Sequence, residues 1–210
     1  MKKIAITQRI IENSTYFEIR DALDKRWSKL LNKIGLLPII LPSQIDFKEY
    51  FKEFDIKGIF LTGGNDLYDL NKNTYSKQRD NFELELISYG IKNQVPIYGV
   101  CRGMQIIAKF FNSTFQVAKK HVGVNHKLKP CVQSKYFSQL NDIRKVNSYH
   151  DYCIKEIGKG LIISAKSDDN TIEAIEHKHL KIFAHMWHPE REKPFQKNQL
   201  DLIKSFFIND

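Results

Sequence analysis

Two short stretches of this sequence carry residue types whose spacing could do covalent chemistry. The first is Gly99-Val100-Cys101-Arg102-Gly103, entered from the apolar run Pro96 to Tyr98 and left through Met104, Ile106, Ile107, Ala108, Phe110 and Phe111. An apolar strand, a Gly-x-Cys-x-Gly turn and an apolar-faced helix predict a nucleophile elbow with sulfur in place of the more usual serine oxygen. Flanking glycines avoid the collisions of so tight a turn. Cys101 would then stand at a strand's C-terminal end and a helix's N-terminus, where unpaired N–H groups favour a thiolate and can bind a developing oxyanion.

The second stretch is Trp187-His188-Pro189-Glu190. Thiol acyl transfer needs a thiolate, an imidazole to hold and return its proton, and a group to orient that imidazole. His188 follows the apolar run Lys181 to Met186, which a parallel sheet would set beside the elbow. Pro189 stiffens the turn, so that Glu190 can fold back toward the far ring nitrogen. Cys101, His188 and Glu190 are the expected catalytic residues. An oxyanion also needs two N–H donors. The Arg102 backbone supplies one, and the Gly63-Gly64-Asn65 turn is positioned to supply the other from Gly64 or Asn65.

The elements that must hold these groups alternate in type. Residues 2–7 predict a buried strand; Ile19, Leu23, Trp27, Leu30, Leu31 and Ile34 have helical spacing, with Ser14 as cap and Gly35 as stop. A strand over 36–41, a short helix carrying Phe47, Tyr50, Phe51 and Phe54, and a strand over 59–62 follow. A polar loop is expected over 68–78, then a helix using Phe82, Leu86 and Ile87, then the elbow strand and its helix. Strictly alternating strands and helices predict an open parallel sheet with helices on both faces and a site at the strands' C-terminal ends. Beyond the elbow helix the sequence predicts strands over 113–118, 161–166, 171–176 and 181–186, with a last helix over about 196–208. Residues 119–145 give no assignable pattern. No linker or internal repeat divides the chain, so residues 1–210 are expected to form one domain.

Composition excludes several classes. Hydrophobic residues make up 42%, enough for a core, yet no apolar run approaches the ~20 residues of a membrane span. The opening Met-Lys-Lys-Ile-Ala-Ile-Thr-Gln predicts a first strand rather than a signal peptide, and hence a cytoplasmic protein. The net charge of +9 is scattered, with no lysine run longer than two and no nucleic-acid motif, so nucleic acid is not an expected partner; a phosphate-bearing small substrate is compatible. The three cysteines form neither a disulfide framework nor a Cys-x-x-Cys site, and Cys131 and Cys153 are read as packing residues. His121, His126, His177, His179 and His185 are read as surface or structural rather than as metal ligands, with His177 and His179 at a hairpin tip. Oligomeric state is left open.

Gly-Val-Cys-Arg-Gly-Met-Gln together with Trp-His-Pro-Glu resembles the class I glutamine amidotransferase-like superfamily, and most closely its γ-glutamyl hydrolase branch, peptidase family C26. Further motifs carry the resemblance in order: Thr7-Gln8-Arg9, the Gly63 to Asp66 loop, Arg79, Asp80, Phe82 and Glu83 before the elbow, and Val146-Asn147-Ser148-Tyr149-His150. The resemblance implies a flavodoxin-like fold, the Cys101–His188–Glu190 triad, and a γ-glutamyl group bound by Gly63 and Gly64, Gln105 and Asn147 through His150. It implies attack on a γ-glutamyl carbonyl and hydrolysis of a glutamyl thioester, with no metal or organic cofactor. The chain departs from the branch at Asp151-Tyr152 and at Phe111-Asn112-Ser113-Thr114. Its helix from Arg20 to Trp27 and its Lys-rich composition are similar to the γ-glutamyl-CDP-amidate hydrolases of capsule phosphoramidate synthesis. Other readings are a hydrolase of γ-glutamyl polyamines or peptides, a glutaminase subunit supplying ammonia to a synthetase, and a non-catalytic regulatory protein on the same fold.

Overall fold

Residues 1–208 are described by a computed structural model. Its centre is a nine-stranded sheet. The parallel part is built first along the chain: β1 (Lys2–Ile6), β4 (Leu36–Ile40), β5 (Ile59–Leu61) and β6 (Ile97–Val100), joined late by β13 (Ile182–His185). Its spatial order is β4-β1-β5-β6-β13, and every neighbour in that run is parallel. Beyond β13 the sheet turns antiparallel through β12 (Ile172–His177), β11 (Leu161–Ser167), β8 (Val122–Pro130) and β9 (Lys145–Tyr149). Helices α1 (Arg26–Lys33), α2 (Phe47–Phe54), α4 (Thr74–Lys92), α5 (Arg102–Phe110) and α7 (Lys197–Ile208) flank the sheet, with short α3 (Tyr68–Asn71) and α6 (Phe137–Asn141) between them. The central strands read as continuous apolar runs because they are covered on both faces: Ile59, Phe60, Leu61, Ile97, Tyr98 and Val100 are all fully buried. Among the described residues, no helix is long and apolar enough to cross a membrane.

Two expectations are corrected. The helix expected from Ser14 onward begins only at Arg26, where Asp24 accepts the Arg26 N–H at 2.9 Å. Residues 19–22 instead form β3 (Ile19–Ala22), antiparallel to β2 (Arg9–Glu12). A 3.6-residue spacing from Ile19 to Leu23 and Trp27 is accidental; the pairing that decides the segment comes from residues ten positions upstream. The polar loop expected over 68–78 is helical at both ends. Asn73 caps α4 by accepting the Tyr75 N–H at 2.8 Å, and the polar first turn continues into a face that buries Ser76, Arg79, Asp80 and Glu83. The unassigned stretch 119–145 holds β8, α6 and the start of β9. Small ribbon β7 (Thr114–Val117) pairs with β10 (Tyr152–Glu156) apart from the main sheet.

The elbow is fixed by contact between α5 and the sheet. A Cβ on Gly103 would lie 2.2 Å from the carbonyl oxygen of Leu61 in β5, a backbone atom that cannot step aside. Gly103→Ala is therefore expected to cost at least the upper end of the ~1–3 kcal/mol typical of overpacking. A lowered denaturation midpoint at unchanged m-value checks this, and an unchanged midpoint would contradict the packing.

Candidate active site

Cys101 follows β6 and precedes α5 with φ 54° and ψ −107°, a positive-φ conformation that a residue with a Cβ rarely adopts. Three bonds hold it there. Its N–H donates to the His185 carbonyl of β13 at 2.7 Å, and its own carbonyl accepts the Met104 and Gln105 N–H groups at 2.9 and 3.1 Å. The Arg102 and Gly103 N–H groups open α5, where a helix offers no carbonyl of its own.

His188 and Glu190 sit at the end of β13, where Pro189–Arg191 makes one turn of 3-10 helix. That turn brings Glu190 Oε1 to 2.6 Å from His188 Nδ1. Both residues are buried. His188 Nε2 has no hydrogen bond of standard geometry among the described residues. Burial pulls the imidazole pKa down, but the Cys101 sulfur and Glu190 outweigh it and hold the ring at about 9. Gly63 closes the arrangement. A Cβ there would lie 2.8 Å from His188 Cε1 and 3.5 Å from Cys101 Cβ, so the Gly63 backbone, the cysteine and the imidazole share one corner.

The Gly63–Asn65 loop is oriented from behind by Arg79. The guanidinium donates to the carbonyls of Thr62, Gly63 and Gly64 at 2.8, 3.1 and 2.6 Å. In a trans peptide the N–H points away from the preceding carbonyl. The Gly64 and Asn65 N–H groups therefore face away from Arg79. Asn65 is tied to β2 by a reciprocal pair with the Ile10 backbone at 3.0 and 2.9 Å. Arg79 Nε also reaches Glu83 Oε1 at 3.0 Å, and Glu83 Oε2 and Asp80 Oδ1 take the two terminal nitrogens of Arg102. All four side chains are buried. Burial alone would raise Glu83, but Arg102 and Arg79 beside it hold its carboxyl below the usual range. Sequence motifs pointed to these residues without giving their task; the signal was charges at i and i+4 on the same face as Leu86 and Ile87.

The residues expected to contact substrate fall into two groups. Gly63, Gly64 and Tyr149 lie at the site; the Tyr149 ring is 5.9 Å from that of His188, with Arg191 stacked 4.3 Å above it. Asn147 spends its amide on the His188 backbone, accepting its N–H at 2.8 Å and donating to its carbonyl at 2.9 Å, and on Glu192 at 2.6 Å. Gln105 donates its amide to the Tyr152 carbonyl at 3.0 Å. Ser148 and His150 are buried and turn toward His121 rather than toward Cys101. Of the histidines read as surface or structural, His121 and His185 are fully buried. His185 stacks on Trp187 at 4.0 Å, and burial holds its pKa well below the ordinary value. His177 accepts the His179 and Leu180 N–H groups at 3.1 and 3.0 Å between β12 and β13, at the expected hairpin. Cys153 is buried, and desolvation pushes its thiol up.

The sequence model of the peptidase C26 family matches residues 4–190. The chain belongs to the peptidase C26 family. It is 39% identical to the γ-glutamyl-CDP-amidate hydrolase of Campylobacter jejuni, over 97% of this chain and 96% of that one. It is 32% identical to a putative glutamine amidotransferase-like protein of Lactococcus lactis, over 75% of each chain. Among solved structures it is similar in fold to a glutamine amidotransferase of Thermotoga maritima, with a TM-score of 0.67, 14% identity, and coverage of 97% of this chain and 83% of that one. A putative GMP synthase protein of Thermoplasma acidophilum is similar too, with a TM-score of 0.76, 22% identity, and coverage of 99% of this chain and 92% of that one. The C26 chain thus shares the glutamine amidotransferase fold: a large sheet, parallel from β4 to β13 and antiparallel beyond, flanked by helices.

Removing Glu83 would leave two buried guanidinium groups short of a carboxylate. Glu83→Ala is expected to cost about 3–5 kcal/mol, as for other buried pairs broken on one side. Urea denaturation followed by far-UV circular dichroism checks it; a loss below about 1 kcal/mol would show the charges are compensated elsewhere.

Proposed function

We propose that this C26 chain is a cysteine-dependent γ-glutamyl amide hydrolase, with γ-glutamyl-CDP-amidate as substrate and glutamate and cytidine diphosphoramidate as products. The observation that carries the reaction is the corner where Cys101, at a helix N-terminus, meets His188 backed by Glu190 at 2.6 Å. The thiolate attacks the γ-carbonyl carbon, and the carbonyl π pair moves onto oxygen. That oxyanion is held by the Arg102 N–H and by Gly64 or Asn65. The His188 imidazolium gives its Nε2 proton to the departing nitrogen as the C–N bond breaks, leaving a glutamyl thioester. The now neutral imidazole takes a proton from water, the hydroxide adds to the thioester carbonyl, and the thiolate leaves with glutamate released. Glu190 holds the ring in the right tautomer and stabilises its charged form.

The choice of substrate rests on likeness to the Campylobacter jejuni enzyme along nearly the full length of both chains. Charge at the site supports it. The Arg9 guanidinium covers Gly64, Arg191 stacks on Tyr149, and Arg26 is close enough to feel both Glu190 and Tyr149. Three arginines near the site, of which Arg26 is bonded to Asp24, suit a leaving group that carries a diphosphate.

Glutamate release by the purified protein alone tests the reading, with glutamine, a γ-glutamyl polyamine, a γ-glutamyl peptide and γ-glutamyl-CDP-amidate offered in parallel. Release is expected to be fastest from the nucleotide amidate, poor from glutamine, and abolished by Cys101→Ala in a folded protein. Activity confined to glutamine and dependent on an added synthetase would replace this reading with that of a glutaminase subunit.

The pH dependence follows from His188. Below about 9 the ring keeps its second proton; as pH rises through that value the general acid is lost. kcat/KM is expected to fall on the alkaline side near there. Glu190→Gln removes one of the groups that raise the ring, so the limb should move to lower pH and kcat should drop. An alkaline limb that Glu190→Gln leaves in place would assign the proton to another group.

A further inference from the structure

Three side chains that this reaction does not use are buried together where the antiparallel part of the sheet meets the site. They are His121, just before β8, His150, just after β9, and Glu173 in β12. Their donor atoms all lie within 4.8 Å of one another. Glu173 Oε1 is 3.5 Å from His121 Nδ1 and 3.6 Å from His150 Nε2, too far for N–H···O hydrogen bonds of ordinary strength. Among the described residues, neither Glu173 oxygen nor His150 Nε2 has a hydrogen-bond partner.

The outer partners fix which ring nitrogens carry protons. His121 Nε2 is 2.9 Å from Asp169 Oδ2, an acceptor only, so that nitrogen is the donor. Asp169 is itself held by the Ser167 hydroxyl and the Thr171 N–H. His150 Nδ1 is 3.2 Å from the Tyr152 carbonyl, again an acceptor only. Ser148 lies 3.4 Å from His121 Nδ1 but gives its proton to the His121 carbonyl at 2.6 Å. As neutral rings, both histidines therefore aim a lone pair at an ionised carboxylate oxygen in a space shut off from water. Glu173 and Asp169 draw His121 toward its charged form, and a cation bound between the three side chains would take the place of that proton.

We propose that His121 Nδ1, His150 Nε2 and the Glu173 carboxylate form a binding site for a divalent transition-metal ion of the zinc class. Donors held about 2.0–2.2 Å from one tetrahedral ion stand about 3.3–3.5 Å apart. The two imidazole–carboxylate separations are already close to that, and the two ring nitrogens, within 4.8 Å of each other, would draw together on binding. Two imidazoles and one carboxylate suit zinc, cobalt or nickel rather than magnesium or calcium, which prefer all-oxygen sets. A carboxylate behind one histidine and a carbonyl behind the other are the outer partners that orient ligating imidazoles. The ion stands beside the proposed catalytic centre and touches none of its reacting atoms. It ties β8, β9 and β12 together next to Tyr149, and the Glu173 carbonyl in turn accepts the Met186 N–H at 2.8 Å on the path to His188.

The test is Zn2+ uptake by the full chain carrying Cys101→Ala, which removes the proposed catalytic thiolate as a competitor. Equilibrium dialysis against Zn2+ is expected to give one tightly held ion per chain. Adding Glu173→Gln or His121→Asn should weaken binding at least tenfold, while His177→Asn at the hairpin should not change it. In case the buried variants do not fold, proton NMR of the Cys101→Ala protein reads the unaltered site. Zn2+ should shift the His121 and His150 ring signals and leave those of His177 and His179 in place. No uptake, or uptake that leaves the His121 and His150 signals unmoved, overturns the proposal.

Discussion

The four buried charges of Arg79, Asp80, Glu83 and Arg102 are what the rest of the site depends on. Taking two guanidinium groups out of water costs several kcal/mol each, and only close carboxylates and carbonyls offset it. Burial pulls the Arg79 pKa down to about 10, yet Glu83 keeps it charged at neutral pH. In return the network joins three elements that would otherwise be independent. Arg102 belongs to the first turn of the elbow helix, Glu83 and Asp80 to the middle of α4, and Arg79 holds the loop after β5 by three carbonyls. Because the loop carbonyls are bound on one side, its N–H groups are fixed on the other. The donors proposed for the oxyanion are thus set before any substrate arrives, and preorganised dipoles of this kind do not have to reorient during the reaction.

The second constraint is the backbone of Cys101 itself. A non-glycine residue at φ 54° and ψ −107° costs on the order of 1–3 kcal/mol and persists only where its surroundings over-determine it. Here they do. The cysteine N–H is bound across to His185, its carbonyl is bound into α5, and Gly103 lies against Leu61 closely enough to exclude a methyl group. The strain places the sulfur outside the strand, above the sheet's C-terminal edge, next to Gly63 and His188.

How much of this the sequence discloses depends on how local each feature is. The elbow occupies five consecutive residues and His188–Glu190 three, so their chemistry can be read from spacing alone, and so can the strands that carry them because they are continuous apolar runs. Features assembled from distant segments leave no local trace. Nothing within residues 14–25 says that Ile19–Ala22 pairs with Arg9–Glu12, and helical spacing misleads there. Asn147 gives no local sign that both ends of its amide are used to hold the His188 backbone. His121, His150 and Glu173 come from three separate strand ends, and each alone looks like a structural residue.

The change from parallel to antiparallel pairing at β13 and β12 has a mechanical consequence for the site. Cys101 is held mainly from the parallel half, through β6, α5 and the charges of α4, with one bond across the seam from its N–H to the His185 carbonyl of β13. His188 is held from the other half: Asn147 of β9 grips its backbone, Glu173 of β12 accepts the Met186 N–H two residues before it, and His185 stacks on Trp187 beneath it. The two halves meet in one parallel pairing, β6 with β13, whose last register pair is Val100 with His185. Each side contributes one residue from the turn beyond its strand, Cys101 directly after β6 and His188 three residues after β13. A nucleophile and its base must stay within about 0.5 Å of the productive arrangement. That tolerance is met across a single ladder because both strands are buried, both ends are tied, and side chains of the two halves pack against each other there, as Tyr98 of β6 does on Phe183 of β13 at 5.6 Å.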